Sequence, residues 1–340
     1  AGALALFIFS WPLDRRHLIF TEYSFITGAY TEAGTLSLYA SDLAFLILWA
    51  AWVWYSLRKP AVAGIPRNVL LTGLAFIVWA AFRSFPLIVP VGTRFSTVLG
   101  WYGTARIGQG FLLALITAHA WNVPHLRRVI LWALVVSGLF QSLLGIGQVL
   151  RGSDLGLRFL GEHPLSLETP GVAKVDIITH KESQDNVPRG TSTSETRHST
   201  NIVPIGTKVL RAYGTFPHSN VLASFLLSSL FAGYFLYHGT RGTLETFTNA
   251  YMLVAFSTIS AGLAVTFSRS GWLSFLLLLG TVGACSYRNI KARRKHLFFF
   301  LSVTVGILAL LLFPSLRSAM IARISPGSSD AFIQGRLASF

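Results

Sequence analysis

The sequence predicts an all-α fold, a polytopic transmembrane helical bundle of about eight complete spans. A truncated first span and one long extracytoplasmic loop complete the expectation. Three observations lead there. Of the 340 residues, 52% are hydrophobic and only 12% are charged, where a soluble domain carries roughly 25%. Mean hydropathy is +0.57. The apolar residues gather in runs of about 20, the length that crosses a hydrocarbon core, and several of the loops between them hold Lys and Arg.

In order, the runs lie at roughly 1–11, 36–57, 69–90, 105–121, 129–150, 218–238, 250–267, 271–287 and 297–313. The first, Ala1 to Trp11, is too short to cross. The end, Gln334 to Phe340, stops mid-pattern. The expectation is a single membrane domain over 1–340, cut at both ends. Four loops are basic: 58–68 holds Arg58, Lys59 and Arg67; 122–128 holds Arg127 and Arg128; 239–249 holds Arg241; 288–296 holds Arg288, Lys291, Arg293, Arg294 and Lys295. They alternate along the span list, so the positive-inside rule assigns all four to the cytoplasm. The segments 151–217 and 268–270 and the tail 314–340 then share the opposite, extracytoplasmic side. The middle of the long loop, 179–201, is polar and lacks aromatic residues, and is expected to be mobile. Its ends, 155–162 and 209–220, carry Gly and apolar positions and are expected to be ordered against the membrane. The tail 314–340 is expected to begin a second extracytoplasmic region.

The net charge of +15 would point to nucleic acid in a soluble protein. Here the basic loops account for much of it, and no nucleic-acid partner is expected. Cys285 is the single cysteine, so no internal disulfide can form. With no P-loop, no Asp-x-Asp pair and no cluster of metal ligands, neither a metal nor a cofactor is expected.

Arg269, in Thr266-Phe267-Ser268-Arg269-Ser270-Gly271-Trp272, stands between two apolar runs. Arg211 stands in Arg211-Ala212-Tyr213-Gly214-Thr215-Phe216-Pro217-His218-Ser219-Asn220, just before another. Guanidinium is a permanent cation whose forked donors match phosphate oxygens. Small and hydroxylated neighbours let a ligand approach closely. The bland alternative is snorkelling to lipid headgroups. Arg106, in Gly103-Thr104-Ala105-Arg106, is a third candidate phosphate contact. His218 and Glu162 are the weak candidates for proton work; a helix cap and a solvated loop acid are their ordinary roles. Ser219 and Asn220 are plausible caps for the helix that follows. Asp42 and Arg83 lie within apolar runs, where charges usually face a bundle interior. Gln141 and Gln148 are seven apart, on one helix face, and are expected to hydrogen-bond between helices.

Taken together, Gly147-Gln148-Val149-Leu150, Leu155-Gly156-Leu157, Leu160-Gly161-Glu162 and the two arginine motifs resemble the O-antigen ligase and O-antigen polymerase family of bacterial inner-membrane proteins. The resemblance covers roughly 36–340. It implies a multi-pass enzyme with an extracytoplasmic active face, taking a glycan carried on undecaprenyl pyrophosphate to an acceptor hydroxyl such as lipid A-core. By motif position it puts pyrophosphate binding on Arg211 and Arg269, and more loosely on Arg336. It puts no catalytic base on this sequence, since the family's histidine belongs to a later region. A departure is Ser219, where members commonly have Pro. The competing expectations are a transporter or flippase of a lipid-linked glycan, hinted at by Asp42 and Arg83, and a non-catalytic scaffold.

Overall fold

The computed structural model describes residues 1–13, 15–19, 25–26, 29–30, 36–58, 67–84, 94–168, 172–177, 207–239, 245–287 and 290–324. A helix occupies each of the predicted apolar runs: α1 (Gly2–Ser10), α2 (Ala40–Arg58), α3 (Arg67–Arg83), α4 (Arg94–Trp121), α5 (Pro124–Arg151), α6 (Ser219–Gly239), α7 (Glu245–Val265), α8 (Arg269–Tyr287) and α9 (Ile290–Leu311). A tenth, α10 (Pro314–Ile324), follows. Among the described residues, α2, α5 and α6 are each long and apolar enough to cross a membrane. The segment 295–311 of α9 and α10 are together long and apolar enough to cross as one span bent by 107°, which makes three or four candidate spans. The eight expected spans are thus helical, but only three or four are long and apolar enough to cross. α4 is long but carries Thr104, Arg106 and Gln109; the apolar parts of α3 and α7 are shorter.

Several expectations change. Residues 36–39 are strand, not the start of a span, and 94–104 belong to α4 rather than to a loop. The tail opens as a helix, with Pro314 as its first residue, where its missing N–H is no loss. Nor is the fold purely helical. β1 (Arg16–Ile19) pairs antiparallel with β4 (Leu36–Tyr39), β2 (Phe25–Ile26) with β3 (Ala29–Tyr30), and β5 (Lys174–Ile177) with β6 (Thr207–Leu210). These ribbons satisfy backbone groups in connections that are not helical. The expected mobile stretch 179–201 and the tail beyond 324, including Arg336, lie outside the described residues, as does the side chain of Cys285.

The main core gathers α5, α6, α7 and α9. Phe256 and Phe299 meet edge to face, with centroids 4.8 Å apart. Small residues stand where helices cross. A methyl group on Gly138 would lie 2.4 Å from Ser229 Cβ, one on Gly262 2.6 Å from Ser142, and one on Gly306 2.1 Å from the carbonyl oxygen of Ser257. Such close approach lets dispersion and backbone contacts hold helices together where lipid removes the hydrophobic drive. A second cluster joins Leu4, Phe7 and Ile8 of α1 to Phe45 and Leu48 of α2, Ile116 of α4 and Ile130 of α5. Leu43, Leu46 and Leu57 of α2, Leu276 and Leu277 of α8, and Leu297 and Leu301 of α9 are exposed. An outward apolar surface of this extent is compatible with a lipid bilayer.

The crossing of α7 and α9 yields a test. Gly306→Ala forces a methyl against a backbone carbonyl and should destabilise by about 1–3 kcal/mol or more. Gly280→Ala, where nothing lies within 4 Å, should leave the thermal midpoint unchanged or slightly raised. Equal melting of the two purified variants would contradict this packing.

Candidate functional site

The site begins on one face of α5. Gln141 and Gln148, two turns apart, are fully buried, and both turn to the segment 213–215. The amide oxygen of Gln141 accepts from Thr215 N at 3.0 Å, and its Nε2 donates to Thr215 Oγ1 at 2.9 Å. Gln148 accepts from Tyr213 N at 3.1 Å and Gly214 N at 2.9 Å, and donates to Gly214 O at 2.8 Å. The shared face expected of the two glutamines is there, but the partner is a chain segment rather than another helix. Gly214 adopts φ 61, and a Cβ there would meet Gln141 Oε1 at 2.4 Å, so only glycine fits.

Glu162 belongs to the same network. It is buried, and its carboxylate accepts from Gln148 Nε2 at 2.8 Å, Leu155 N at 2.8 Å and Leu157 N at 2.7 Å. This corrects the expectation of a solvated acid or a proton carrier. Glu162 closes the loop that follows α5, with Gly152, Gly156 and Gly161 supplying left-handed turns.

The segment then meets the turn between α7 and α8. Ala212 N donates to Val265 O at 3.0 Å, and Arg211 Nε donates to Thr266 O at 2.8 Å. Arg211 Nη2 donates to Asn220 Oδ1 at 3.0 Å. Arg211 is only 8% exposed. Both acceptors are neutral, so they orient the guanidinium without cancelling its charge. Burial first, and then the positive charge of Arg323, push its pKa down to about 10. It remains a cation at neutral pH.

The turn itself is strained. Phe267 has φ 50, a left-handed conformation uncommon outside glycine, and its ring is fully buried. Ser268 caps α8, its Oγ accepting from Gly271 N at 3.2 Å. The sharp reversal offers Phe267 O to Arg323 Nε at 3.1 Å, while Arg269 Nε donates to Arg323 O at 3.2 Å. Arg269 is exposed and is the first residue of α8, whose N-terminal dipole adds positive potential. Three arginines therefore share one turn: Arg211 buried, Arg323 half-buried and Arg269 exposed. Like charges brought together in this way favour a bound anion.

The structure places Arg211 and Arg269 at one turn and adds Arg323, which bonds to that turn and to Arg269. Arg323 carried no sequence signal, because the tail holding it reads as open loop. The other candidates go elsewhere. Arg106 pairs with Asp42: Nη1 with Oδ1, and Nη2 with Oδ2 at 2.9 Å. It also bonds Tyr102 OH, Gln109 Oε1 and Ser37 O. Its charge is already matched, which corrects the expectation of a third phosphate contact. Arg83 is exposed at the end of α3, not turned into a bundle interior. His218 is exposed, and its carbonyl accepts from Val221 N and Leu222 N, which makes it the cap of α6. Asn220, expected as a cap, accepts from Arg211 instead. Among the described residues no group of three or more His, Cys, Asp or Glu converges to hold a metal ion.

No family model matches the chain, and neither the curated proteins nor the solved structures contain a significant match.

Two outcomes follow from the geometry. Glu162→Ala orphans two backbone N–H groups and removes one of the two partners of Gln148 Nε2, so it should destabilise by about 1–3 kcal/mol; melting and limited proteolysis of 151–167 check this. An unchanged melting profile would sink the loop-closing role. Asp42→Asn and Arg106→Gln should each destabilise, while the double substitution should be no worse than the poorer single one, read by a double-mutant cycle. Additive losses would show the pair to be uncoupled.

Proposed function

We propose that the chain is a multi-pass membrane glycosyltransferase or ligase that moves a glycan from undecaprenyl pyrophosphate to an acceptor hydroxyl on the extracytoplasmic face of the bacterial inner membrane. About eight complete spans would carry it. The observation supporting this reading is the turn at 265–269, around which Arg211, Arg269 and Arg323 are drawn together and bonded to backbone carbonyls. The sequence resemblance to O-antigen ligases and polymerases points the same way.

In the proposed reaction the acceptor oxygen attacks the anomeric carbon. The bond from that carbon to the diphosphate oxygen breaks, and its electrons leave with the lipid diphosphate. Negative charge grows on the diphosphate as this happens. Arginines held in place beforehand stabilise it without reorganising, and do so more strongly where water is scarce. The acceptor's proton passes to a base. His218, exposed at the start of α6 two residues before Asn220, is one titratable candidate, and the base can equally come from outside the described residues.

The proposed placement in a membrane also has support at the ends of other helices. Arg58 lies over Trp54 at the end of α2, and Arg127 at the start of α5 lies over Trp121 at the end of α4, at 4.2 and 5.9 Å from the ring centroids. Cations stacked on tryptophan at helix ends suit a membrane–water boundary. The transporter reading loses its hints, since Asp42 is bound by Arg106 and Arg83 is exposed at a helix end.

Arg211→Ala and Arg269→Ala should each abolish glycan transfer in cells while membrane levels stay normal. Arg211→Lys should not restore it, because an ammonium lacks the planar fork. Full transfer by both alanine variants would overturn the proposal.

A further inference from the structure

A cavity of about 530 Å³ lies between α1, α2, α4 and the start of α6. Its wall includes Trp11, Tyr39, Tyr102 and Phe216, together with Asp42 and Arg106. The volume is within the usual range for a small-molecule site. The chemistry differs sharply from that of the arginine turn. Arg106 is bonded through both terminal nitrogens to Asp42, and Gln109 Nε2 and Tyr39 N donate to the same carboxylate at 3.0 and 2.9 Å. The guanidinium also sits over the rings of Tyr39 and Tyr102, at 5.1 and 5.0 Å. The network is rigid and electrically balanced. An anion entering here would have to displace Asp42 from Arg106, so the cavity favours a neutral ligand.

We infer that this cavity binds a neutral pyranose ring of the glycan substrate, an inference that rests on the proposed function. A pyranose has apolar C–H faces and a rim of hydroxyls. It suits a pocket that sets aromatic rings beside fixed polar groups. The position fits as well. Arg211 and Phe216 are five residues apart on one segment, so the cavity wall lies at most about 18 Å from the arginine turn, the span of an extended chain of that length. Thr215 Oγ1 donates to Pro12 O, which ties the corner bearing Trp11 to that same segment. A ligand with an anionic end and a neutral glycan could occupy both places at once. The ring belongs either to the donor's glycan or to the acceptor.

The test uses the whole chain in lipid nanodiscs, free of sugar-based detergent. Saturation-transfer NMR reads the binding of a panel of methyl hexopyranosides and methyl N-acetylhexosaminides, and calorimetry reads inorganic pyrophosphate. At least one glycoside should bind. Trp11→Ala should weaken it about tenfold, the loss of one aromatic face, and Trp11→Phe should restore most of it. Both variants should keep full pyrophosphate affinity, which also shows that they fold. A donor sugar site would release the glycoside when a short prenyl-diphosphate sugar is added, whereas an acceptor site would hold both together. If no glycoside binds, or if Trp11→Ala binds it unchanged, the sugar site is wrong and the diphosphate reading stands. If instead Arg211→Gln keeps full pyrophosphate affinity while glycoside binding survives, the diphosphate reading falls and the sugar site stands.

Discussion

The arrangement depends on two side-chain amides. Gln141 and Gln148 replace water for the backbone of 213–215, at a level where the chain leaves regular structure but is still enclosed by helices. Non-helical backbone at such a place needs internal partners, since each orphaned polar group is costly in a poorly hydrated setting. A glutamine offers a donor and an acceptor on one rigid plane, so each amide can read an N–H and a second polar atom together. Glu162 extends the arrangement by binding Gln148 from the other side and fixing the loop after α5. The segment that carries Arg211 is thus held by α5 before the arginine makes any contact of its own.

Charge then builds on that frame. Arg211 is buried against the turn after α7, and Arg323 approaches the same turn from α10. Their mutual repulsion is tolerated because carbonyl dipoles from Thr266 and Phe267 face them, and because the strained backbone at Phe267 is locked by its buried ring. Like charges held together by fixed neutral partners favour a bound anion. At the cavity that Phe216 and Pro217 help to line, the Arg106–Asp42 pair consumes its own charge and leaves a neutral, aromatic chamber. One stretch of chain thus carries Arg211 at the turn and Phe216 at the cavity wall.

Much of the architecture was legible in the linear pattern. Long apolar runs announced nine helices, and arginines set among Ser, Gly and Tyr marked the turn that gathers them. Other parts were not. Glu162 reads as a loop acid because its three donors come from Gln148 and from backbone N–H groups, which leave no trace in composition. Arg106 reads as an anion contact because Asp42 is 64 residues away in sequence. α10 escaped notice since its mixed polarity mimics a loop, and Arg323 with it. The hairpin strands are too short to show an alternating pattern. Side-chain pairing across long sequence separations is what the sequence conceals.

The central claim is that the guanidinium groups around the 265–269 turn hold a diphosphate. The most direct measurement is a cryo-EM reconstruction of the chain in nanodiscs, saturated with a short-chain prenyl diphosphate. The account predicts phosphate density bonded to Arg211, with Arg269 and Arg323 alongside. Density seated at another site, or an empty turn in a fully liganded particle, would contradict it.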